Sequence, residues 1–455
     1  MKNKDFQEIR GDSVLILGYS REGQATHRFL QAHYPNLHID IADKNTVIPV
    51  VESSSKVFSG STYLDFLSDY STVIRSPGIP PHTPELVEYV KQGGFITSAT
   101  NIFLSQFRDQ TVGVTGTKGK STTASLIAHI LKTKVSDVRL VGNIGLPVLD
   151  YMEKITPETV FVAELSSHQL SDARYSPRIA VLLAIQPEHL DYYPNIESYV
   201  HAKANITRFQ SSTDAFVCNT SSSRVSDVLV FSRAQKFLFS AEQAVDTSVF
   251  IKDGAIVSRE SGKEEVVMKI ADMPLLGNIE NIMAAVTTAL LFGLTPASIG
   301  AAIHPFKSLP HRLEKIGKFR DITFYNDSLA TIPEATIHAL AAFDNQVGTL
   351  IAGGYDRRLD FTALGAYLAK HPVDVLILFP DTGVKIWEAV LAANPKSTIQ
   401  KHDVTSMEEA VQFAYKYTKS GKICLLSPAS ASYNLFKDYA DRGDQFRECV
   451  LRLAE

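Results

Sequence analysis

The chain has few cysteines, and their arrangement fits neither a disulfide framework nor a zinc motif. Only Cys218, Cys424 and Cys449 occur in 455 residues, and their wide spacing and odd number are typical of a reducing compartment. No apolar run approaches the roughly 18 residues that are needed to span a bilayer. The polar start, from Met1 to Glu8, lacks the apolar core of a signal peptide. We therefore expect a cytoplasmic protein without membrane insertion.

The chain also lacks a strong excess of charge of either sign. Its 45 Lys and Arg residues stand against 49 Asp and Glu residues, for a formal net charge of -4. Without a basic footprint, nucleic acid is not an expected partner. The 45% of hydrophobic and 21% of charged residues are ordinary globular values, which argue against disorder and against a fibrous chain. At roughly 100–200 residues per domain, the length predicts about three domains.

The N-terminal part of the sequence predicts a nucleotide-binding βαβ unit. Residues Ser13–Gly18 form a strand-like run, Gln24–His33 a helical pattern, and Leu37–Asp43 a second strand that ends in a carboxylate. The glycines of the connecting turn follow the pattern Gly18-x-x-x-x-Gly23, which is not the full dinucleotide fingerprint. NAD is therefore not implied, and glycines that merely form a turn fit the pattern equally well.

Strand-like runs alternate with helical patterns through the rest of the chain. The runs are Thr111–Thr115, Val160–Glu164, Ile179–Ile185, Gly348–Ala352, Val373–Phe379 and Lys422–Leu426. This alternation predicts an α/β protein whose parallel sheets are covered by helices on both faces. We place domain boundaries near residues 108 and 305, which gives domains 1–108, 109–305 and 306–455.

The strongest local signal is a glycine-rich stretch between a predicted strand and a predicted helix. It reads Gly116-Thr117-Lys118-Gly119-Lys120-Ser121-Thr122. Glycines expose backbone N–H groups to phosphates, a lysine reaches the β- and γ-phosphates, and a hydroxyl can bind Mg²⁺ at the helix N-terminus. Val114 stands where the usual Walker pattern has its first glycine. The stretch nevertheless predicts an ATP-binding P-loop.

Three further residues are candidates for the same site, each with a simpler interpretation. Glu164 closes an apolar strand and is suited to bind Mg²⁺ beside the P-loop, although a solvated carboxylate fits as well. His189 follows another apolar strand, and a lone histidine is more often a packing or surface residue. By composition alone, Lys203 is a surface lysine on a predicted helix.

Eight ordered stretches resemble the Mur ligase family of peptidoglycan synthesis, and the resemblance covers nearly the whole chain. They are Gly116–Thr122, Gly142-Asn-Ile-Gly-Leu-Pro147, Glu164-Leu-Ser-Ser-His-Gln-Leu170, His189 with Lys203, Leu309-Pro-His-Arg312, Asn326-Asp-Ser-Leu-Ala-Thr331, Ile351-Ala-Gly-Gly-Tyr-Asp-Arg357 and Ser427-Pro-Ala-Ser-Ala-Ser432. The resemblance implies three domains: a Rossmann-like N-terminal domain that binds a UDP-substrate, a central ATP-binding P-loop domain, and a Rossmann-like C-terminal domain that binds an amino acid.

The implied activity is ATP-dependent amide formation. In such ligases ATP phosphorylates the carboxylate of the UDP-linked substrate, and an amino acid attacks the resulting acyl phosphate. The resemblance implies addition of D-glutamate to UDP-N-acetylmuramoyl-L-alanine by a monomeric enzyme, with one or two Mg²⁺ ions and a carbamylated Lys203. The phosphorylation makes physical sense, because a carboxylate is a poor electrophile until one of its oxygens becomes a leaving group, and Mg²⁺ and lysine neutralise the transferring phosphoryl group.

The resemblance also implies a role for individual residues. Lys120, His189 and Lys203 would be catalytic, and Ser121, Glu164, His189 and Lys203 would bind metal. Besides the residues of the P-loop, Asn278, Asn281, Arg312 and Asp327 would contact ATP. Those implied for the UDP-substrate are Ser20, Asp43, Gly78, Asn143, Ser166 and Gln169. Those implied for glutamate are Thr331, Arg357, Ser432 and Tyr439.

Several positions depart from the family pattern and keep alternatives open. Leu329 and Ile332 replace the usual lysine and asparagine, and His168 replaces a phenylalanine. The missing lysine leaves open the same reaction with L-glutamate, which a minority branch of these ligases performs. A folylpolyglutamate-type ligase is a more distant alternative, which the full first domain disfavours. A nucleotide-binding module without catalytic activity is the third.

Overall fold

The computed structural model describes residues 8–48, 55–144, 146–189, 192–222, 224–242, 246–273, 278–307 and 310–454. The described residues form a five-stranded, a nine-stranded and a six-stranded sheet. They divide into two compact units. Unit 1 holds the described residues of Met1–Met273 and Asn278–Phe306, and unit 2 holds those of Lys307–Glu455.

The first sheet of unit 1 is entirely parallel, in the order β3-β2-β1-β4-β5. Its strands are β1 Ser13–Leu17, β2 His38–Asp43, β3 Val57–Ser59, β4 Thr72–Arg75 and β5 Ile96–Thr97, and its helices are α1 Arg21–His33, α2 Pro84–Lys91 and α3 Ala99–Phe107. After the half-buried Ser13, the central strand β1 is a run of branched aliphatic residues that are buried on both faces, as expected for a strand covered by helices.

The second sheet of unit 1 has the order β14-β13-β12-β11-β10-β9-β6-β8-β7. Its strands are β6 Thr111–Thr115, β7 Val138–Gly142, β8 Val160–Glu164, β9 Ile179–Leu182, β10 Ala215–Asn219, β11 Gln235–Ser240, β12 Thr247–Lys252, β13 Ala255–Glu260 and β14 Lys263–Lys269. Its helices are α4 Lys120–Leu131, α5 Ser167–Leu170, α6 Ile196–Arg208, α7 Val225–Leu229, α8 Ile279–Leu291 and α9 Pro296–Ile303. The sheet is parallel from β7 to β12, and β13 and β14 extend it in antiparallel fashion.

Unit 2 contains the six-stranded sheet, in the order β15-β16-β20-β17-β18-β19. Its strands are β15 Glu314–Phe319, β16 Ile322–Asn326, β17 Val347–Gly354, β18 Val375–Asp381, β19 Gln400–Asp403 and β20 Ile423–Leu426, and its helices are α10 Pro333–Ala341, α11 Thr362–Lys370, α12 Thr382–Ala393, α13 Met407–Tyr417 and α14 Tyr439–Arg452. Among the described strands of unit 2, only β15 pairs antiparallel with its neighbour. Apolar clusters lie on both faces of this sheet.

The α/β class and the parallel sheets are confirmed, but several element bounds differ from expectation. Helix α1 begins at Arg21, three residues before the start of the predicted helical pattern at Gln24, so Gly23 lies in its first turn. Helix α4 begins at Lys120, within the glycine-rich stretch rather than after Thr122. Strand β9 ends at Leu182, not at Ile185. The antiparallel strands β13, β14 and β15 were not predicted, because they are partly exposed and lack a long continuous apolar run.

One predicted domain boundary lies near the change between the two units, and the other does not. Residue 305 lies next to the change of unit after Phe306, whereas residue 108 lies inside unit 1. The division into three domains therefore stays a prediction. Among the described residues, no helix combines the length and the apolar character that crossing a membrane requires.

The two sheets of unit 1 share one apolar core, in which Phe161 of β8 meets α3. The Phe161 ring lies edge-on to Phe103, with 5.0 Å between ring centroids, and 5.6 Å from the centroid of Phe107. Phe103 and Phe161 are both fully buried, and all three rings belong to a cluster with residues of β1 and α1. This aromatic contact fixes α3 against the sheet that carries the P-loop.

We expect Phe161→Ala to lower the free energy of unfolding by about 3–5 kcal/mol, because it removes a large buried side chain and leaves a cavity. Denaturant unfolding followed by circular dichroism measures the change. The matched control is Phe209→Ala, since the Phe209 side chain is 43% exposed and its loss should cost less than about 1 kcal/mol. Equal losses in the two variants would contradict the packing role of Phe161.

Candidate active site

The glycine-rich stretch joins the carboxyl end of β6 to the first turn of α4. Gly119 is the N-cap of α4 with a positive φ of 84°, and a Cβ there would lie 2.1 Å from Oδ1 of Asn281. A Cβ on Gly116 would lie 2.6 Å from Cβ of Leu183. Both positions therefore need glycine. At the start of α4, backbone N–H groups and the helix dipole favour negative charge.

The lysine of the loop folds back onto the turn. Lys120 Nζ donates to the carbonyl oxygens of Gly116, at 3.1 Å, and Thr117, at 2.8 Å. The Thr117 hydroxyl donates to the Gln186 carbonyl oxygen, 3.0 Å away, and lies 2.9 Å from the hydroxyl of Tyr199. Lys118 and Ser121 are half-buried and Thr122 is buried. The loop therefore has a defined conformation in which the side chain of Lys120 lies at the centre.

Glu164 is buried, so the interpretation as a solvated carboxylate is wrong. It ends β8, paired with Val114 of β6, and is 1% exposed. Asn143 Nδ2 donates to Oε1 of Glu164 at 3.0 Å, and among the described residues Oε2 has no hydrogen-bond partner. A buried carboxylate oxygen that accepts no hydrogen bond needs a partner from outside the chain, such as a cation. This observation fits the predicted Mg²⁺.

Lys203 is also buried, so the interpretation as a surface lysine is wrong. Its Nζ donates to the Gly116 carbonyl oxygen at 2.7 Å and lies 4.7 Å from the centroid of the Tyr199 ring. Burial, followed by the charge of Lys120, sets the pKa of Lys203 well below its usual range, although Glu188 and Glu164 oppose the shift. The composition gave no sign of this, because the polar groups around Lys203 come from distant parts of the chain.

His189 belongs to an aromatic cluster and is partly exposed. Its backbone is left-handed, with φ of 57°, and its Nε2 lies 3.7 Å from Oε2 of Glu188. The His189 ring centroid lies 4.7 Å from that of His168 and 6.3 Å from that of Tyr199. Tyr199 thus connects His189 with Thr117 of the P-loop. The sequence gave no signal for Tyr199, which the structure places beside both.

The other predicted ATP residues of unit 1 lie at the start of α8. The buried Asn281 lies against Gly119, as the close approach of its Oδ1 to a Cβ there shows. Asn278 is exposed and caps α8, with its Oδ1 accepting from Glu280 N at 2.8 Å. Asn281 is therefore part of the P-loop surroundings, whereas Asn278 has a structural role of its own.

The predicted UDP-substrate residues of the first sheet gather at its carboxyl edge. Ser20 is the exposed N-cap of α1, and Asp43 ends β2 and accepts from Tyr19 N at 2.6 Å. Gly78 is exposed in the turn after β4, with open space where a Cβ would stand. Parallel strands place such loops side by side.

Ser166 and Gln169 form a capping box at α5. The Ser166 hydroxyl accepts from Gln169 N at 3.2 Å, and Oε1 of Gln169 accepts from Ser166 N at 3.0 Å. Gln169 also bonds Glu22 of α1, and this bond opposes the burial that raises the pKa of Glu22 to about 7. Gln169 therefore links α5 to α1 of the first sheet. Gly145 and Leu309, from the quoted family stretches, lie outside the described residues.

In unit 2, Asp327 is buried at the end of β16. Its Oδ1 accepts from Leu313 N at 3.1 Å, and its Oδ2 accepts from the Ser427 hydroxyl at 2.9 Å. Burial raises the pKa of Asp327 to about 7, although both hydrogen bonds and the charge of Arg312 oppose the rise. Asp327 thus connects the family stretch Asn326–Thr331 to Ser427, the first residue of another family stretch.

The predicted glutamate residues come from three connections of unit 2: Thr331 follows β16, Arg357 follows β17, and Ser432 and Tyr439 follow β20, with Tyr439 as the first residue of α14. Thr331 is half-buried and Ser432 is buried, whereas Arg357 is exposed and Tyr439 is 42% exposed. Arg357 Nη2 donates to the Tyr433 hydroxyl at 3.3 Å.

The sequence did not indicate a role for Arg442, which is fully buried on α14. Its Nη2 donates to the Ser328 carbonyl oxygen at 2.8 Å, and its Nη1 to that of Ser430 at 3.1 Å. Burial lowers the pKa of Arg442 to about 9. Arg442 therefore holds together the loops that carry Thr331 and Ser432.

Comparisons with known proteins point to one family. Residues 114–289 match the Mur ligase middle domain, and residues 311–430 match the Mur ligase, glutamate ligase domain. The chain is 34% identical to the UDP-N-acetylmuramoylalanine–D-glutamate ligase of Acetivibrio thermocellus over 99% of this chain and 98% of that protein. It is 34% identical to the enzyme of that name from Geobacillus kaustophilus over the full length of both.

A solved structure has the same fold. The MurF ligase from Thermotoga maritima, determined in complex with ADP, superposes with a TM-score of 0.58, at 17% identity, over 99% of this chain and 96% of that one.

The raised pKa of Asp327 predicts how stability depends on pH. Between about pH 4, the ordinary aspartate value, and about pH 7, the folded chain binds the proton that the unfolded chain releases. Stability should therefore fall as the pH rises through this interval. Asp327→Asn should remove up to about 4 kcal/mol of this decline, measured by denaturant unfolding at several pH values.

The matched control is Asp321→Asn. Asp321 is exposed, and hydrogen bonding to Lys318 holds its pKa below the usual range, so it is ionised throughout the interval. This variant should keep the parental slope. A slope that Asp327→Asn leaves unchanged would contradict a buried, protonated Asp327.

Proposed function

The chain belongs to the Mur ligase family, and we propose that it adds D-glutamate to UDP-N-acetylmuramoyl-L-alanine. Family members are ATP-dependent ligases that form amide bonds in peptidoglycan synthesis. The observation that carries the proposal is that relatives named for D-glutamate addition match this chain from end to end. The close grouping of the P-loop, Glu164 and Lys203 supports it, because this grouping provides what phosphoryl transfer requires.

In the proposed mechanism, the P-loop amides and Lys120 bind the phosphates of ATP. Lys120 exchanges its contacts with the Gly116 and Thr117 carbonyl oxygens for contacts with phosphate oxygens. Asn281 lies against Gly119 of this loop. In unit 2, Arg312 and Asp327 serve the nucleotide. The γ-phosphoryl group passes to the substrate carboxylate, and the acyl phosphate then reacts with the amino group of glutamate.

Ser121, Glu164, His189 and Lys203 would hold Mg²⁺, as one or two ions. The unpartnered Oε2 of Glu164 fits a metal-binding role. When bound, Mg²⁺ neutralises charge on the phosphoryl oxygens. The described residues contain no group of three His, Cys, Asp or Glu side chains that could hold a metal alone. Phosphate oxygens and a modified lysine would therefore have to complete the set.

We propose that Lys203 is carbamylated. Only a neutral amine attacks CO₂, and burial favours the neutral form of Lys203. The amine nitrogen forms a bond to the carbon of CO₂ as one C=O bond of CO₂ opens to C–O⁻, and the nitrogen releases a proton, so a neutral amine becomes an anionic carbamate. An anionic side chain at Lys203 would attract the ammonium group of Lys120 and add oxygen ligands beside Glu164.

The remaining predicted roles complete the proposal. The UDP-substrate would contact Ser20, Asp43, Gly78, Asn143, Ser166 and Gln169, and glutamate would contact Thr331, Arg357, Ser432 and Tyr439. Three domains with boundaries at residues 108 and 305, a monomeric state and a cytoplasmic location remain part of the proposal.

One observation favours a second candidate, the same ligation with L-glutamate. Leu329 and Ile332 replace a cation and an amide in the stretch that ends near Thr331. Loss of these polar groups changes what the site offers to the amino-acid carboxylates, so the stereochemistry is the open point.

Phosphate release by the purified chain tests the proposal. Release should require ATP, UDP-N-acetylmuramoyl-L-alanine and D-glutamate together, and mass and chiral analysis should identify a D-glutamyl product. Turnover with L-glutamate alone would replace the proposal by the second candidate. Turnover with a folate substrate, or release that needs neither substrate, would contradict both.

The same assay tests the P-loop. Lys120→Ala should lower kcat at least about 100-fold, because a charge that stabilises the transition state is lost. The control is Lys132→Ala, an exposed lysine at the end of the same helix, which should keep parental activity. Full turnover by Lys120→Ala would exclude the P-loop from the mechanism.

A further inference from the structure

We propose that Tyr433 is a positioning residue that holds the Arg357 guanidinium ready for the second carboxylate of the incoming amino acid. The inference rests on the proposed function and concerns how the same site selects its amino acid. Tyr433 immediately follows Ser432, and neither the family stretches nor the comparisons assign it a role.

Two contacts of different kinds join Arg357 to Tyr433. Arg357 Nη2 donates to the tyrosine hydroxyl at 3.3 Å, and the guanidinium carbon lies 5.3 Å from the centroid of the tyrosine ring. A cation over an aromatic face is attracted by the ring quadrupole. Together the two contacts limit the rotation of a long, exposed side chain that would otherwise sample many rotamers.

The backbone on both sides of this pair is fixed. Gly353 and Gly354 end β17 with positive φ values of 96° and 145°, and Tyr355 N then donates to the Ala431 carbonyl oxygen at 2.9 Å. The buried Arg442 donates to the same carbonyl oxygen at 3.3 Å. Arg357 and Tyr433 each lie two residues after the hydrogen bond between Tyr355 and Ala431. This bond ties the two segments together, so they cannot shift independently.

The charge of Arg357 is left free for an external partner. Within the described chain, Arg357 forms no ion pair, and its guanidinium contacts Tyr433. The neighbouring carboxylate, Asp356, is bound elsewhere: Lys385 Nζ lies 2.7 Å from its Oδ2, and Arg358 N donates to its Oδ1 at 2.7 Å.

Tyr433 leaves most of the Arg357 guanidinium available. A guanidinium carries five N–H donors, and the tyrosine hydroxyl accepts from one of them. The others can bind a carboxylate, including in the bidentate manner that arginine favours. Tyr433 is 59% exposed, so the pair is open to solvent and to a small substrate. A tyrosine that orients an arginine in this way favours an amino acid with a second carboxylate over its neutral amide analogue.

The test compares Tyr433→Leu, Tyr433→Phe and the parent in the phosphate-release assay. Tyr433→Leu removes both contacts and should raise the KM for glutamate about 10-fold, with kcat and the KM for ATP within about 2-fold of the parent. Tyr433→Phe keeps the ring and should raise that KM only about 2–3-fold. The preference for glutamate over glutamine, as a ratio of kcat/KM, should fall in Tyr433→Leu, because an unoriented charge discriminates less.

The matched control is Tyr417→Leu in the same unit, where Lys416 Nζ lies 5.0 Å from the tyrosine ring centroid. It should leave every kinetic constant unchanged. If Tyr433→Leu kept the parental KM for glutamate and the parental preference for glutamate over glutamine, the role of Tyr433 would be overturned and the proposed function would stand. An equal loss of kcat with all substrates would have the same consequence. A parent that is inactive with either glutamate isomer would overturn the proposed function, and the role of Tyr433 with it.

Discussion

The carbonyl oxygen of Gly116 is the point on which the site depends, because two lysines donate to it. Lys203 Nζ lies 2.7 Å and Lys120 Nζ 3.1 Å from this one oxygen. Two ammonium groups so close together in a buried environment would repel each other strongly. The fold eases the conflict by burying Lys203, which favours its neutral form, whereas Lys120 is only half-buried. The same contact joins α6 to the P-loop.

Parallel strands explain why the remaining candidate groups lie where they do. In unit 1 the carboxyl end of β6 supplies the P-loop and that of β8 supplies Glu164. In unit 2, β17 leads into the loop of Arg357 and β20 into the loop of Ser432. Within each unit, loops at the carboxyl ends of parallel strands meet at one edge of the sheet. The candidate functional groups of each unit therefore lie on loops, and the buried strands fix the positions of these loops.

The sequence predicts this arrangement where an apolar run is followed directly by residues with a recognisable chemical role. Strands Thr111–Thr115 and Val160–Glu164 have the predicted bounds, because apolar runs ended by glycine or by a carboxylate are unambiguous signals. The burial of Lys203 could not be predicted, since the neighbours that surround it are distant in the chain. The same reason applies to Arg442, whose partners lie more than ten residues away. The antiparallel additions to two sheets were missed because their edge strands lack a continuous apolar run.

The most direct test of this account is whether Lys203 is neutral enough to react with CO₂. The chain would be incubated with ¹³C-labelled bicarbonate at neutral pH and examined by ¹³C NMR. The account predicts one carbamate resonance that disappears in Lys203→Arg and persists in Lys132→Arg. A parent without this resonance, or a resonance that survives in Lys203→Arg, would contradict it.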